Sequence, residues 1–375
     1  MNEWAGTEKT EQSPVEALSQ ARGLALVGAE KDNLEEVMSI KFTALATVAV
    51  VALGGAANAA GHLTEVTFGT NWVAQAEHGG FYQAVVDGTY EECGLSVTIL
   101  PGGPQVNNSA QLIAGRIQFY MGGTLGQFSA VNEGVPMLIV AASFQKEPQI
   151  VMTHPGVISS FDELSTLDQL IIGDEGFVTY FKYFEKANGW DAAKRVPYTF
   201  NPAPFIANPA SAQQGYVTSE PFAVEQEAGI KPDVWVLADN GYTAYSTTIV
   251  GMRDYVEANP DVTKCFVEGS AKGWANFLYG DNEAALAKIR EDNPDMSDDK
   301  LAFSIETMKQ YGIVDSGDAL TMGIGAMTDE RMADFFAKMV DVGVLPADLD
   351  YTAAYTLDYA NSGVALEVKS ALGVE

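Results

Sequence analysis

Basic side chains are scarce in this 375-residue chain: 21 Lys and Arg stand against 50 Asp and Glu, a formal charge of −29. That deficit argues against nucleic acid as a partner, because phosphate binding relies on clustered Lys and Arg. The acidity fits a secreted protein kept soluble by its charge, as in a salty habitat. Cysteine occurs only at Cys93 and Cys265. No zinc-type Cys/His spacing exists. Two isolated cysteines in a large domain read as buried thiols, although an oxidising compartment would permit pairing. No apolar run reaches the roughly 20 residues that cross a bilayer comfortably. A Gly-x-Ser-x-Gly elbow, a His-Glu-x-x-His motif and a P-loop Lys-Ser/Thr are also missing, and His62 and His154 have no evident partners. The expectation is a protein that is not an enzyme and carries no cofactor and no metal.

What is present begins with an export signal. From Met38 the chain reads Met-Ser-Ile-Lys, then an apolar run over 42–53, then Gly-Gly-Ala-Ala-Asn-Ala-Ala. A basic start, a short apolar stretch and a small-x-small site (Ala57 and Ala59) describe a cleaved secretory signal over 38–59. Residues 1–37 hold eight acidic and three basic side chains. They read as a non-native or disordered extension.

Beyond the signal, strand and helix patterns alternate. Strands are expected over 64–70, 96–100, 117–122 and 137–143, with helices over 81–92, 109–114 and 125–133. A second unit has strands over 149–153, 169–172, 196–200, 215–218 and 234–237, with helices over 161–167, 178–188 and 222–228. After an extended stretch over 247–251, helices are expected over 261–278, 283–292, 298–311, 329–342 and 350–358. This alternation argues for α/β architecture with parallel strands and right-handed crossovers. The extended segments bracketing the middle unit suggest two lobes hinged by two crossover strands, lobe 1 from 60–148 and 252–375 and lobe 2 from 149–251. No internal repeat or low-complexity tract is present.

The loops after successive strands open on one sheet edge, where α/β sheets gather ligands. The first holds Trp72, His78, Phe81 and Tyr82. An aromatic face there can stack on a planar ring while an imidazole makes a directional hydrogen bond, although Phe81 or Tyr82 could simply begin a core-packed helix. The second, Pro101-Gly-Gly-Pro-Gln-Val-Asn-Asn108, supplies Gly102, Gly103, Gln105 and Asn107 as candidates, because free N–H groups before a helix can hold an oxygen. A plain turn capped by Asn107 or Asn108 is the alternative. Gly123 and Thr124 end the third strand. In the second unit Glu175 and Phe177 sit in Gly173-Asp-Glu-Gly-Phe177, with Tyr216 and Glu220 in Gly215-Tyr-Val-Thr-Ser-Glu-Pro-Phe222. Glu220 can accept from a ligand amino group or act as a solvated acid at a helix start. With Lys146 the only basic residue near a crossover, the inventory favours a neutral or amino-bearing heterocycle.

In order along the chain, Trp72-x5-His78-x-Gly80-Phe-Tyr82, Pro101-Gly-Gly-Pro104, Phe144-Gln-Lys-x-Pro148 and Gln214-Gly-Tyr-Val-x-x-Glu-Pro-Phe222 resemble the thiamine-pyrimidine-synthase-like solute-binding proteins of ABC transporters. Members bind taurine, alkanesulfonates, nitrate, riboflavin or pyrimidine precursors of thiamine. The resemblance implies a two-lobed periplasmic-binding-protein fold of type II. It also implies a periplasmic monomer that hands a small-molecule ligand to a membrane permease and its ATPase. For pyrimidine-binding members it implies stacking by Trp72 and Tyr216, with Glu220 reading an amino group and His78 matching the first-loop His. Relatives often have Pro where Ala74 stands, a departure that touches loop shape and ligand identity. A thiamine-type pyrimidine is the expected solute, with a sulfonate, nitrate or other small organic anion as the alternative. A pyrimidine-forming enzyme is disfavoured by the lack of that enzyme's Cys-rich motif. Mass spectrometry of the exported protein is expected to find Ala60 at the N-terminus; a chain retaining residues 38–59 would overturn the signal reading.

Overall fold

The computed structural model describes residues 63–103 and 106–374. The expected tail and signal over 1–59, and the candidate Gln105, lie outside them. Ten strands are described: β1 (Thr64–Gly69), β2 (Leu95–Leu100), β3 (Phe119–Gly122), β4 (Met137–Phe144), β5 (Gln149–Thr153), β6 (Gln169–Ile172), β7 (Arg195–Pro197), β8 (Ser211–Tyr216), β9 (Asp233–Val236) and β10 (Ser246–Met252). They form two sheets, ordered β2-β1-β3-β10-β4 and β7-β6-β8-β5-β9. β1 runs parallel to β2 and β3, and β6 runs parallel to β7 and β8. β10 is antiparallel to β3 and β4, and β5 is antiparallel to β8 and β9. The two-lobed α/β architecture follows, with one sheet in each lobe.

Strand burial tracks position. β4 is buried at all eight residues, as befits an apolar run covered on both faces. In the first lobe the helix Pro260–Tyr279, with Pro at its start, crosses the helix Gly79–Val86 at very close range. A Cβ on Gly80 would lie 2.2 Å from the Trp274 ring, and one on Gly273 would lie 2.2 Å from the Gly80 carbonyl. The two backbones therefore meet through glycines. Stacked rings of Tyr90, Phe266 and Phe119 fill the space toward β3, with centroids 5.2 and 4.6 Å apart. In the second lobe Phe161, Phe181 and Phe184 pack on Trp190.

Several expected elements are corrected. The helix over 81–92 is two helices, Gly79–Val86 and Thr89–Glu92, broken at Gly88 with φ of 78°. The strand over 196–200 stops at Pro197, and residues 350–358 hold only a short 3-10 turn, Tyr351–Ala354. Residues 247–251 do not belong to the second lobe: β10 pairs wholly with β3 and β4, so the chain has returned before Ser246. The C-terminal segment also reaches beyond the first lobe. On the helix Asp329–Asp341, Phe335 touches both Phe128 and Tyr242, and Lys186 donates to the Asp341 carbonyl at 2.9 Å.

That helix also pins the hinge. The chain crosses between sheets at 145–148 and at 237–245. The Arg331 guanidinium donates to the Gln145 carbonyl of the first connection and, at 3.1 Å, to the Thr243 carbonyl of the second. Its carbon lies 4.0 Å from the Tyr245 ring centroid, and the Tyr245 hydroxyl donates to Asp318 at 2.5 Å. Just beyond, Thr247 is buried with φ of 47°, an uncommon conformation for a β-branched residue.

The cysteines are not free thiols. Cys93 and Cys265 form a disulfide with Cα atoms 5.8 Å apart, because the crossing of the long helix brings the end of Thr89–Glu92 onto it. No helix among the described residues is long and apolar enough to cross a membrane. Cys265→Ser is expected to cost about 2–4 kcal/mol of stability and to abolish any effect of reductant on thermal melting. An unchanged melting temperature would contradict the bond.

Candidate functional site

The ends of β1, β2 and β3 in one lobe, and of β6, β7 and β8 in the other, bring their following loops together where the two lobes meet. The first loop is built around Thr70. Its hydroxyl donates to the Trp72 carbonyl at 2.7 Å, and its own carbonyl accepts from the Asn108 amide at 2.8 Å. Gly102 donates its N–H to the Trp72 carbonyl at 3.0 Å and lies 3.1 Å from the Thr70 hydroxyl. A Cβ on Gly102 would come within 2.5 Å of the Thr70 carbonyl. This lattice presents the Trp72 indole, partly buried, 4.9 Å from the Phe200 ring of the second lobe.

The cleft floor is acidic. Glu77 is buried and accepts from the Thr218 hydroxyl across the lobes, while the Thr218 carbonyl accepts from Ser304 at 2.8 Å. Glu220 accepts from the Tyr216 N–H at 2.7 Å. Gln149 is paired with Tyr216 in the β5–β8 register and donates its N–H to Glu147 at 3.3 Å. Glu147 and Glu220 therefore flank the same end of one strand pair. Burial pushes both carboxyls up to about 7, opposed by their hydrogen bonds. Burial also raises Glu77. Tyr216 is raised by burial and then by Glu147, Glu175, Glu77 and Glu220, so its hydroxyl senses four carboxylates from both lobes. Tyr120 of the first lobe is pushed up to about 12 by burial and then by Glu175, so Glu175 acts on rings of both lobes. Among the described residues none of the four carboxylates is in a salt bridge; Lys146 pairs instead with Asp239 at 2.6 Å. Lys300 lies within electrostatic reach of Glu77 and Glu220.

The sequence candidates divide. Trp72, Tyr216, Glu220 and the exposed Glu175 come together around the cleft. Gly123 leaves open space where a Cβ would sit. Tyr82 turns away: it is buried, and its hydroxyl donates to Asp292 at 2.9 Å inside the first lobe. His78 is fully buried with neither ring nitrogen hydrogen-bonded, and burial pushes its pKa down to about 3. It therefore stays neutral at physiological pH. Asn107 caps the helix Asn108–Ile113 by accepting from Ala110 at 2.9 Å. Gly102 has spent its N–H on the chain, and the Gly103 carbonyl accepts from Val106 at 3.0 Å. Thr124 donates to the Tyr245 carbonyl at 2.9 Å, tying the helix Thr124–Asn132 to the hinge. Phe177 lies under Arg195 and Lys182, 4.8 and 5.0 Å from its centroid.

Sequence reasoning missed Glu147, Phe200 and the cleft role of Glu77. Glu147 stood in view beside Lys146, in the motif already singled out. Phe200 carried no signal, since its role comes from contact across the lobes. A separate cavity of about 550 Å³ opens at the hinge, lined by Gln145, Lys146, Asp239, Thr243, Asp318 and Arg331 among others. It contains none of the candidate residues. At the strand ends, by contrast, rings and acids from both lobes converge.

The family model described as NMT1/THI5 like matches residues 75–284. Among solved structures, the chain is similar to a putative periplasmic sulfonate-binding protein of an ABC transporter from Methylobacillus flagellatus KT. The identity is 16% and the TM-score 0.53, over 84% of this chain and 96% of that one. It is similar to the periplasmic nitrate-binding protein of Synechocystis PCC 6803 at 14% identity and TM-score 0.53, over 84% and 90% of the two chains. The desulfurization enzyme DSZB is similar at 11% identity and TM-score 0.51, over 81% and 99%. At such identities the likeness concerns the fold, which is that of periplasmic binding proteins. No curated protein matches the chain.

Because burial raises the Glu147 and Glu220 pKa values from 4.5 to about 7, the folded chain binds more protons than the unfolded chain between those values. Stability linked to these groups is full below the unfolded value and is lost as pH rises through about 7. Glu220→Gln is expected to melt above wild type at pH 8 and close to it at pH 5. An equal shift at both values in thermal denaturation would refute the assignment.

Proposed function

The chain belongs to the NMT1/THI5-like family, and from that premise we propose that it is the periplasmic solute-binding component of an ABC importer. It captures a small heteroaromatic solute bearing an amino group, of the thiamine-pyrimidine type, and hands it to a membrane permease coupled to an ATPase. Export through the 38–59 signal and action as a monomer belong to the same reading.

The observation that carries it is the acidic surround of Tyr216: its N–H bonds Glu220, Glu77 accepts from Thr218 two residues on, and Glu147 and Glu175 lie within electrostatic reach. Unpaired carboxylates in a partly desolvated cleft repel an anion and favour hydrogen-bond donors, above all an amino group or a protonated ring nitrogen. Trp72 supplies a π-face beside them. The sulfonate and nitrate named for two structural neighbours would call for donors where this cleft holds acceptors. In this reading Trp72 stacks on the ring, Glu220 and Glu147 accept from its amino edge, and closure of the lobes excludes water. His78, neutral and enclosed, shapes the first loop without carrying charge.

Titration calorimetry is expected to show micromolar binding of a hydroxymethyl aminopyrimidine, and no heat with taurine or nitrate. Trp72→Ala should weaken that binding by about 5- to 150-fold, the range for loss of one aromatic stacking partner (~1–3 kcal/mol). Glu220→Gln should weaken it more at pH 8 than at pH 5. Tight binding of taurine or nitrate that Trp72→Ala leaves unchanged would instead establish the anion reading.

A further inference from the structure

We propose that the cavity at the hinge is a second binding site, for a small organic diamine whose two ammonium groups tie the first crossover connection to the helix that braces it. It shares no residue with the strand-end cleft, so it stands whether or not that cleft takes a pyrimidine.

Every passage of chain that meets at the hinge contributes to the wall. Gln145 and Lys146 come from the first connection, Asp239 from the second, and Gly317, Asp318 and Arg331 from the C-terminal segment that braces both. At about 550 Å³ the space is in the range of small-molecule sites. The decisive residue is Gln145. Its amide nitrogen donates to the Ala142 and Ala326 carbonyls at 3.2 and 2.8 Å. Both partners can only accept, so the amide cannot be turned over. Its Oε1 is left without a partner in a side chain that is 2% exposed. A Cβ built on Gly317 would lie 4.0 Å from that oxygen and 3.9 Å from Arg331 Nη1, with no other atom as close. Both polar atoms therefore border the same open space. A buried acceptor without a donor is costly, and a ligand N–H removes that cost.

The rest of the lining selects the donor. Asp239, Asp318, Glu330 and Asp334 line the cavity against two cations, Lys146 and Arg331. Both cations are already engaged, Lys146 with Asp239 at 2.6 Å and Arg331 with the carbonyls of Gln145 and Thr243. Glu330, exposed on the helix Asp329–Asp341, has no hydrogen-bond or salt-bridge partner among the described residues. Ala238 supplies the only apolar side chain of the lining among those residues, so an apolar ligand gains little there. Nor are any three acids among the described residues placed to share a metal ion. A compact cation thus meets one carboxylate at a time, whereas a flexible diamine spans the spread. One ammonium donates to Gln145 Oε1, with Asp318 near, and the other pairs with Glu330. Seated between connection and helix, the diamine favours the lobe angle at which both partners stay in reach.

The test is titration calorimetry of the mature protein with putrescine at low salt. Saturable one-to-one binding is expected, and it should fade at about 1 M salt, where the Debye length is about 3 Å. Glu330→Lys removes one attraction and adds a repulsion, so Kd should rise about 5- to 30-fold with the melting temperature of the free protein unchanged. Gly317→Asn suits the left-handed backbone there, φ of 52°, and covers the Gln145 oxygen; it too should weaken binding. The equally long but uncharged 1,4-butanediol should give no saturable heat. No putrescine binding at millimolar concentration, or full binding by both variants, would overturn the site. Spin labels on Val86→Cys and Val178→Cys, exposed in the first and second lobes, report the lobe angle, since the native cysteines are paired. Putrescine should narrow the distance distribution between them; an unaltered distribution refutes its action on the hinge.

Discussion

The two connections between the sheets, held by one guanidinium, are the constraint on which the rest depends. Arg331 reaches the Gln145 carbonyl on one connection and the Thr243 carbonyl on the other while its face lies on Tyr245. Planar geometry with five donors suits Arg, and not Lys, to joining two strands in this way. The pin fixes where β5 leaves the first lobe and where β10 re-enters it. The ends of β5 and β8 follow, and with them Glu147, Tyr216 and Glu220. Were the connections free to slide, no acid of one lobe would keep a fixed relation to the Trp72 loop of the other.

On that frame the cleft accumulates charge that the fold would otherwise avoid. Buried carboxylates are expensive unless paired or hydrogen-bonded. Here the hydrogen bonds are few: Thr218 to Glu77, the Tyr216 N–H to Glu220, and the Gln149 N–H and the Ser246 side chain to Glu147. Lys300 offsets part of the field at Glu77 and Glu220. Natural chains keep such groups where they serve recognition.

Motifs can be right about place and wrong about role. The Gly79-Gly80 pair belongs to the most distinctive sequence motif, yet the space around it is taken by Phe277 and Trp274. Its small size lets two helices cross. Tyr82, one turn on, anchors the helix Glu283–Asp292 through Asp292. The Pro101-Gly-Gly-Pro104 motif likewise spends its Gly102 amide on bracing the Trp72 loop. Residues grouped in one sequence motif are thus divided between the interlobe side and the core side of one turn.

By itself the sequence determined what local pattern can carry. Period-two and period-3.6 alternation placed nearly every strand and the long C-terminal helices, including Gln169–Ile172, Glu283–Asp292 and Asp298–Tyr311 to the residue. From alternation came two sheets, and from their bracketing segments a double crossover. Short elements escaped, because the 3-10 turn Tyr351–Ala354 and the three-residue β7 are too brief to show a period. Only the tertiary structure decided which distant residues meet. Cys93 bonds to Cys265 across 172 positions, Glu77 reaches Thr218 across 141, and Trp72 lies against Phe200 of the other lobe. Such contacts follow from how the two lobes pack and hinge, and no periodicity within either segment encodes them.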